Sequence, residues 1–159
     1  MTANALLIYG KNKDDIRLND LVSSNLRMAL LTSSYIPNVS VTGHSLYSDL
    51  SGELPTVTNG YTIGGAALTG VVDARSISGV AQVDGYKLSS NNAAWTPTVS
   101  ASIPAFRFAV LYYLGTLWGL VNPLIGYILC DNTPADIPIT TTENTLTIVC
   151  PQDGWFDVV

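Results

Sequence analysis

Short apolar or alternating runs, separated by turn residues, recur along the whole chain. They are ALLIY at 5–9, LRMALL at 26–31, GYTIGGAALTGVV at 60–72, ISGVAQVDGYKL at 77–88, AAWTPTVSASI at 93–103, NTLTIVC at 144–150 and WFDVV at 155–159. Turn dipeptides such as Asn-Gly, Gly-Gly and Asp-Gly lie between or within these runs. Short strands at such spacing are typical of antiparallel sheets. The pattern therefore predicts an all-β domain, either an antiparallel β-sandwich or a β-barrel.

The longest uncharged stretch, FAVLYYLGTLWGLVNPLIGYILC at 108–130, is long enough to cross a bilayer as a helix. Its internal glycines and its Asn-Pro pair disfavour a helix, however. FRFAVLYY at 106–113 places apolar residues on both faces of a strand, and the proline of PLIGYILC at 123–130 is at the permitted start of a second strand. We expect a β-hairpin here, and no membrane partner.

Both faces of this hairpin are apolar, and sheets of that kind are covered on both faces. We expect one face to pack on the domain's own core and the other to need a second sheet or another chain. Apolar patches of this size mark interfaces, so the pattern predicts an oligomer or a tight partner. The candidate contact residues are Leu111, Tyr113, Leu117, Trp118, Leu120, Ile125 and Tyr127 of the hairpin, with Tyr35 and Tyr47 from the segment 32–55.

Two segments differ from the strand pattern. KNKDDIRLNDLVSSNL at 11–26 has the charge and spacing of a helical turn or two, so we expect short helical turns near the N-terminus and nowhere else. On this basis residues 1–24 form an N-terminal arm and residues 25–159 the β domain. The segment 32–55 is too long for a simple hairpin loop, and loops of that length usually carry function or contacts.

Composition narrows the function classes. A chain of 159 residues fits one domain. Only 12% of its residues are charged, against about 25% in typical soluble domains. Its polar residues are mainly 16 Thr, 14 Ser and 11 Asn, which suit strands and turns. With a net charge of -5 and no run of Lys or Arg, the chain lacks the electrostatic footprint of a nucleic-acid-binding protein.

Catalytic and metal motifs are weak. The single histidine, His44, has Ser45 and Asp49 nearby in sequence, but three residues within six positions of a loop do not form a nucleophile, base and acid in line. Cys130 and Cys150 lie outside metal-ligand spacing. The N-terminus does not resemble a secretory signal, so we expect a reducing cytoplasm and free, buried thiols rather than a disulfide.

Three alternatives stay open from the residues alone. Paired carboxylates from distant strands are the basis of glycosidic cleavage. The tryptophans Trp95, Trp118 and Trp155 are of a type that stacks on sugars. Asp49 with Glu53 offers oxygen ligands for calcium. The glycine-rich NGYTIGGAALTG at 59–70 lacks the ending of a phosphate-binding loop, and Gly64-Gly65 is interpreted as a sharp turn or bulge. We expect no enzymatic activity, no cofactor and no metal.

Five motifs together resemble a group of small β-rich virion proteins of tailed bacteriophages. They are LRMALLTSSYIPN at 26–38, YSDLSGELPTVTNGYTIGGAALTG at 47–70, AAWTP at 93–97, FRFAVLYY at 106–113 and PLIGYI at 123–128. The resemblance covers about residues 25–159 and is poor over residues 1–24. The segment LCDNTPADIPITTTEN at 129–144 also departs from the group, which is usually acidic or glycine-bearing there.

The resemblance implies a capsid decoration, or cement, protein, made in the host cytoplasm and located on the phage head surface. Its expected partners are the major capsid protein and copies of itself, as a homotrimer. The segment 32–55 and the N-terminal arm are the expected contacts with the shell, and the hairpin at 106–130 the expected trimer contact. The alternative is a tail or fibre-associated virion protein that binds the host surface.

Overall fold

The structure is a computed structural model, and it describes residues 6–57, 60–76, 85–97, 103–130, 145–152 and 154–158. The strands are β1 (Leu7–Ile8), β2 (Leu26–Leu31), β3 (Ala66–Ala67), β4 (Val72–Ser76), β5 (Gly85–Ser89), β6 (Ala93–Trp95), β7 (Phe108–Tyr113), β8 (Thr116–Leu117), β9 (Leu120–Val121), β10 (Leu124–Leu129), β11 (Leu146–Ile148) and β12 (Phe156–Val158). The helical elements are the 3-10 turns Gly10–Asp15 and Tyr47–Asp49 and the single α-helical turn α1 (Leu18–Leu21).

The largest sheet contains five strands in the order β1-β10-β7-β2-β3, and every pairing is antiparallel. β7 and β10 pair with each other, and β8 and β9 extend the same hairpin to its tip. The predicted hairpin over the uncharged stretch is therefore confirmed. Among the described residues, no helix has the length and hydropathy needed to span a membrane.

The two faces of this sheet belong to two different apolar clusters. Met28 and Leu30 of β2 lie with Leu111 of β7 in the larger cluster, which we call the main core. Leu31 and Phe108, which are paired across the strands, lie in the smaller cluster, which we call the second core. The alternation predicted for β7 is confirmed, because a strand directs successive side chains to opposite faces.

A bulge in β10 changes that alternation. Leu124 pairs with Tyr112 and Gly126 with Leu111, so that Ile125 is the extra residue. Ile125 consequently lies in the main core, whereas Tyr127 packs against the second core. A regular strand would place both side chains on one face, as expected when both were predicted to contact a partner, and that expectation is wrong because the bulge shifts the phase of the strand between them.

Smaller antiparallel sheets contribute to the main core. The three-stranded sheet β12-β5-β4 supplies Leu88 and Phe156, and the pair β11-β6 supplies Ile148 and Trp95. The all-β prediction is confirmed, with antiparallel sheets around a shared core. Parts of the runs predicted as strands, at 77–84 and 98–102, lie outside the described residues.

The N-terminal segment is part of the same fold. β1 pairs with β10, Tyr9 is fully buried in the second core, and Leu21 of α1 is fully buried in the main core. The short helical turns predicted here are confirmed, and one further turn occurs at Tyr47–Asp49. The described part of the predicted arm thus contributes a strand and core side chains to the β domain.

Candidate functional site

The second core is covered by the loop from Thr32 to Leu54, which we call the covering loop. Its two ends lie side by side, since the Thr32 amide donates to the Gly52 carbonyl at 2.8 Å and the Leu54 amide to the Leu30 carbonyl at 3.0 Å. Between them the loop places Tyr35 in the second core, with Tyr47 packed against it. The apolar second face of the sheet is therefore covered by the chain itself, and the burial of that face needs no second subunit.

The outer side of the covering loop exposes three aliphatic side chains. Ile36 is 80% exposed, Val41 is 76% exposed and Val39 is 42% exposed. No residue from Thr32 to Gly43 is charged. We call Ile36–Val41 the loop tip. Three exposed aliphatic side chains within six residues of an uncharged loop form the most concentrated exposed apolar segment among the described residues.

Hydrogen bonds within the loop hold this tip in shape. The His44 amide donates to the Asn38 carbonyl at 3.0 Å, and the Gly43 amide donates to the Ser40 carbonyl at 2.8 Å. The Ser40 hydroxyl donates to Asn38 Oδ1 at 2.9 Å. Asn and Ser side chains commonly stabilise turns in this way. A loop that is already ordered loses less conformational entropy when it binds.

The N-terminal segment clamps the loop to the sheet. The Gly10 amide donates to the Val39 carbonyl at 3.1 Å. Asn12, of which only 1% is exposed, donates from Nδ2 to the Ser45 carbonyl at 2.7 Å and to the Leu124 carbonyl at 2.8 Å. One buried amide thus joins the loop to β10. Asn12 lies in the charged stretch KNKDD, and no pattern in the sequence distinguishes it from its solvated neighbours.

A chain of three polar groups lies beneath the tip. The hydroxyl oxygens of Tyr9 and Tyr35 are 2.5 Å apart, and the Tyr35 hydroxyl is 2.9 Å from His44 Nδ1. The Tyr35 and His44 rings also stack, with their centroids 5.6 Å apart. Burial raises the pKa of Tyr9 well above its ordinary value and raises the pKa of Tyr35 to about 12. Both hydroxyls are therefore neutral over the physiological pH range.

Glu53 organises the far end of the loop. Its carboxylate accepts hydrogen bonds from the Tyr47 hydroxyl, from the Tyr61 hydroxyl at 2.7 Å and from the Gly64 amide at 2.7 Å. Burial, followed by these bonds to the carboxylate, raises the pKa of both tyrosines. The Tyr112 hydroxyl donates to the Gly64 carbonyl at 2.8 Å. The turn at Gly64-Gly65, expected from the glycines, is thereby fastened to the covering loop.

The residues that suggested a catalytic or metal site form hydrogen bonds that hold the loop. Asp49 Oδ2 accepts the amides of Ser45 and Leu46, both at 2.9 Å, and the bond from Ser45 is the main cause of the lowered pKa of Asp49. His44 faces Tyr35 rather than a serine nucleophile. In the described ranges, no group of three His, Cys, Asp or Glu residues is placed to hold a metal ion. Asp49 and Glu53 bind separate sets of donors.

Several of the predicted contact residues are buried within the single chain. Leu111 and Ile125 are fully buried in the main core, and Tyr35 is 1% exposed in the second core. Their prediction as contact residues is wrong, because they have no surface to offer a partner. Tyr47 is half-buried, and its hydroxyl donates a hydrogen bond to the Glu53 carboxylate.

The other hairpin candidates are partly accessible. Tyr113, Leu117, Trp118, Leu120 and Tyr127 are of intermediate exposure. The Trp118 side chain is held by a hydrogen bond, because its Nε1 donates to Asp20 Oδ2 at 3.0 Å. The exposed apolar side chains of the hairpin are Leu114 at 41% and Val121 at 63%. The accessible apolar surface of the hairpin therefore lies towards its tip.

The two cysteines and one surface groove lack the features of a reactive site. Cys130 and Cys150 are unpaired, as expected, and burial raises the pKa of Cys130 to about 12 and raises that of Cys150. An open groove of about 460 Å³ lies between Val22–Ser24 and Ala67–Val71. No titratable side chain lines this groove, so it offers no acid, base or metal ligand.

No protein-family model, curated protein or solved structure matches this chain. The candidate site is an ordered loop with an uncharged, apolar tip.

Proposed function

We propose that the chain is a phage capsid decoration protein that binds the outer surface of the assembled head through the loop tip and stabilises the shell. The resemblance of residues 25–159 to small virion proteins suggests the class. The observation that carries the proposal is the exposure of Ile36, Val39 and Val41 on a loop that is uncharged and hydrogen-bonded. Such a surface suits a permanent protein contact rather than catalysis.

The binding free energy available from the loop tip is sufficient for a cement protein. Full burial of one aliphatic side chain contributes about 1.5–3 kcal/mol, so three side chains can supply several kcal/mol per site. Binding to the assembled shell alone stabilises it by RT ln(1 + [L]/Kd) at every site. Moderate affinity at each of many sites is therefore sufficient, and no active site is required.

We propose that the chain self-associates into a trimer as part of this function. The trimer contact that we propose lies near the tip of the hairpin rather than on the face of its two long strands. The face that was expected to need companion subunits is covered by the chain's own loop. Leu114 and Val121, the exposed apolar residues of the hairpin, are the contacts that we now assign to a second copy. Serine at both positions should lower the mass of the assembly in light scattering and leave the chain folded. Unchanged mass would contradict this contact.

The shell contact is tested by co-sedimentation with undecorated capsids. The double variant Ile36→Ser and Val41→Ser should lose about 3 kcal/mol of binding free energy, or roughly a hundredfold in affinity. Val72→Ser, at a residue of β4 that is 48% exposed, is the matched control and should bind like the unaltered chain. Bound chain should also raise the temperature at which the capsids come apart.

Three results would contradict the proposal. The chain could fail to sediment with capsids at all, or the double variant and the Val72→Ser control could bind equally well. Sedimentation with host cells but not with capsids would instead support the tail or fibre-associated role.

A further inference from the structure

We propose that His44 makes the order of the loop tip pH-sensitive, so that the tip is held at neutral pH and released when the imidazole takes up a second proton. The inference deepens the proposed function, since it concerns regulation of the loop to which that function assigns binding. It follows from the number of hydrogens shared by three polar groups in series, the hydroxyls of Tyr9 and Tyr35 and Nδ1 of His44.

At neutral pH the hydrogen-bonded series Tyr9–Tyr35–His44 has one donor for each acceptor. The Tyr9 side chain is fully buried, and among the described residues its hydroxyl has one hydrogen-bond partner, the Tyr35 hydroxyl at 2.5 Å. The Tyr9 hydroxyl therefore donates to the Tyr35 oxygen. The Tyr35 hydroxyl then donates to His44 Nδ1 at 2.9 Å, which requires that Nδ1 carry no hydrogen.

A second proton on His44 leaves one hydrogen too many. Nδ1 then becomes a donor, and three hydrogens compete for two contacts. If the histidine donates to Tyr35, either the Tyr35 hydrogen or the Tyr9 hydrogen loses its acceptor inside the protein. A buried donor without an acceptor is costly, so the protonated imidazole favours the state in which His44 leaves Tyr35.

Other groups around His44 do not remove this conflict. Tyr127 of β10 packs on Tyr9, with ring centroids 5.8 Å apart, and burial raises its pKa, so it stays neutral. Asp49 interacts electrostatically with His44, and Lys11 interacts with the same carboxylate. Asp49 favours a charged imidazole, but its Oδ2 is already occupied by two backbone amides.

Movement of His44 away from Tyr35 would reduce the order of the loop tip. The amide of His44 bonds the Asn38 carbonyl, and the Tyr35 ring next to it anchors the start of the loop. The open state binds one more proton than the ordered state, so a fall in pH shifts the population from the ordered state towards the open state.

Hydrogen exchange of the isolated protein tests this without any capsid. Protection of the Gly43 and His44 amides, corrected for intrinsic exchange, should fall about tenfold between pH 7.5 and pH 5.5. His44→Asn keeps an acceptor near the position of Nδ1 but does not titrate, and should hold its protection constant. His44 is the sole histidine in the chain, so its ring nitrogen shifts are also readable in the unaltered protein and should show Nδ1 without hydrogen at pH 7.5.

Two results would overturn the inference. One is an identical pH dependence of protection in the unaltered chain and in His44→Asn. The other is a hydrogen on Nδ1 at pH 7.5, a measurement that does not depend on the variant folding. If capsids fail to bind while protection follows pH as described, the proposed function fails and the switch stands.

Discussion

Asn12 joins three parts of the molecule, and replacing it tests whether the covering loop is held from the N-terminal segment. Its Nδ2 bonds the carbonyls of Ser45 and Leu124 at 2.7 and 2.8 Å in a site that is 1% exposed. The Ser45 carbonyl also accepts the Leu124 amide at 2.8 Å, so its lost bond should cost about 0.5–1.5 kcal/mol, whereas removal of the Asn12 donor from the buried Leu124 carbonyl should cost about 1–3 kcal/mol. Asn12→Ala should therefore lower the free energy of unfolding by about 2–4 kcal/mol, a large part of the 5–15 kcal/mol typical of a domain.

Asn12→Asp sharpens this test, because it keeps the shape and turns a double donor into a buried carboxylate that faces two carbonyl oxygens. At pH 7 it should cost about 3–5 kcal/mol, as expected for an uncompensated buried charge. The pKa of the introduced carboxyl is then raised in the folded state, so part of the lost stability should return as the pH falls towards 4. Denaturant unfolding followed by tryptophan fluorescence measures both effects.

Asn19→Asp is the matched control, since Asn19 is exposed on α1 and the change in net charge is the same. It should alter stability by no more than about 0.5 kcal/mol. The role of Asn12 as a buried clamp is contradicted if Asn12→Asp is no more destabilising than Asn19→Asp, or if its effect does not depend on pH.

Further predictions concern backbone, core and thiols. Gly65 and Gly119 both have positive φ, but a Cβ on Gly65 would overlap the backbone of β2, whereas one on Gly119 meets open space. Gly119→Ala should cost about 1–2 kcal/mol and Gly65→Ala at least about 1 kcal/mol more, by denaturant unfolding; equal costs would contradict the overlap. Leu111→Ala should cost about 2–5 kcal/mol as a core truncation, and Val121→Ala less than about 0.5 kcal/mol; the reverse order would contradict the burial of Leu111 in the main core. Because burial raises the pKa of Cys130 to about 12, its thiol should react slowly with a disulfide reagent at pH 8 and readily after unfolding; fast reaction in the folded state would contradict that burial.

The strands of the main sheet were predictable because their pattern is dense and uninterrupted. LRMALL became β2 with the bounds that the sequence indicated, and FRFAVLYY became β7 from Phe108 onwards. The phase of β10 was not predictable, since the bulge at Ile125 depends on the pairing with β7 and leaves no mark in the sequence. One extra residue was enough to place Ile125 and Tyr127 on opposite faces.

The candidate site was predictable in position but not in detail. The length of the segment 32–55 indicated a contact-making loop, and its uncharged stretch is visible in the sequence. Which of its residues face inwards was not visible, because a loop has no period. The aromatic Tyr35 was chosen as a contact residue and is buried, whereas Ile36 beside it is exposed. Asn12 was missed because its role is set by partners distant in sequence.

We propose that the loop tip is the surface through which this protein binds a viral shell. A map of the decorated head at side-chain resolution would test this contact. We expect density for the chain on the outside of the head, with Ile36, Val39 and Val41 buried against the capsid protein. The proposal would be contradicted by a chain bound to the shell with these three side chains facing solvent.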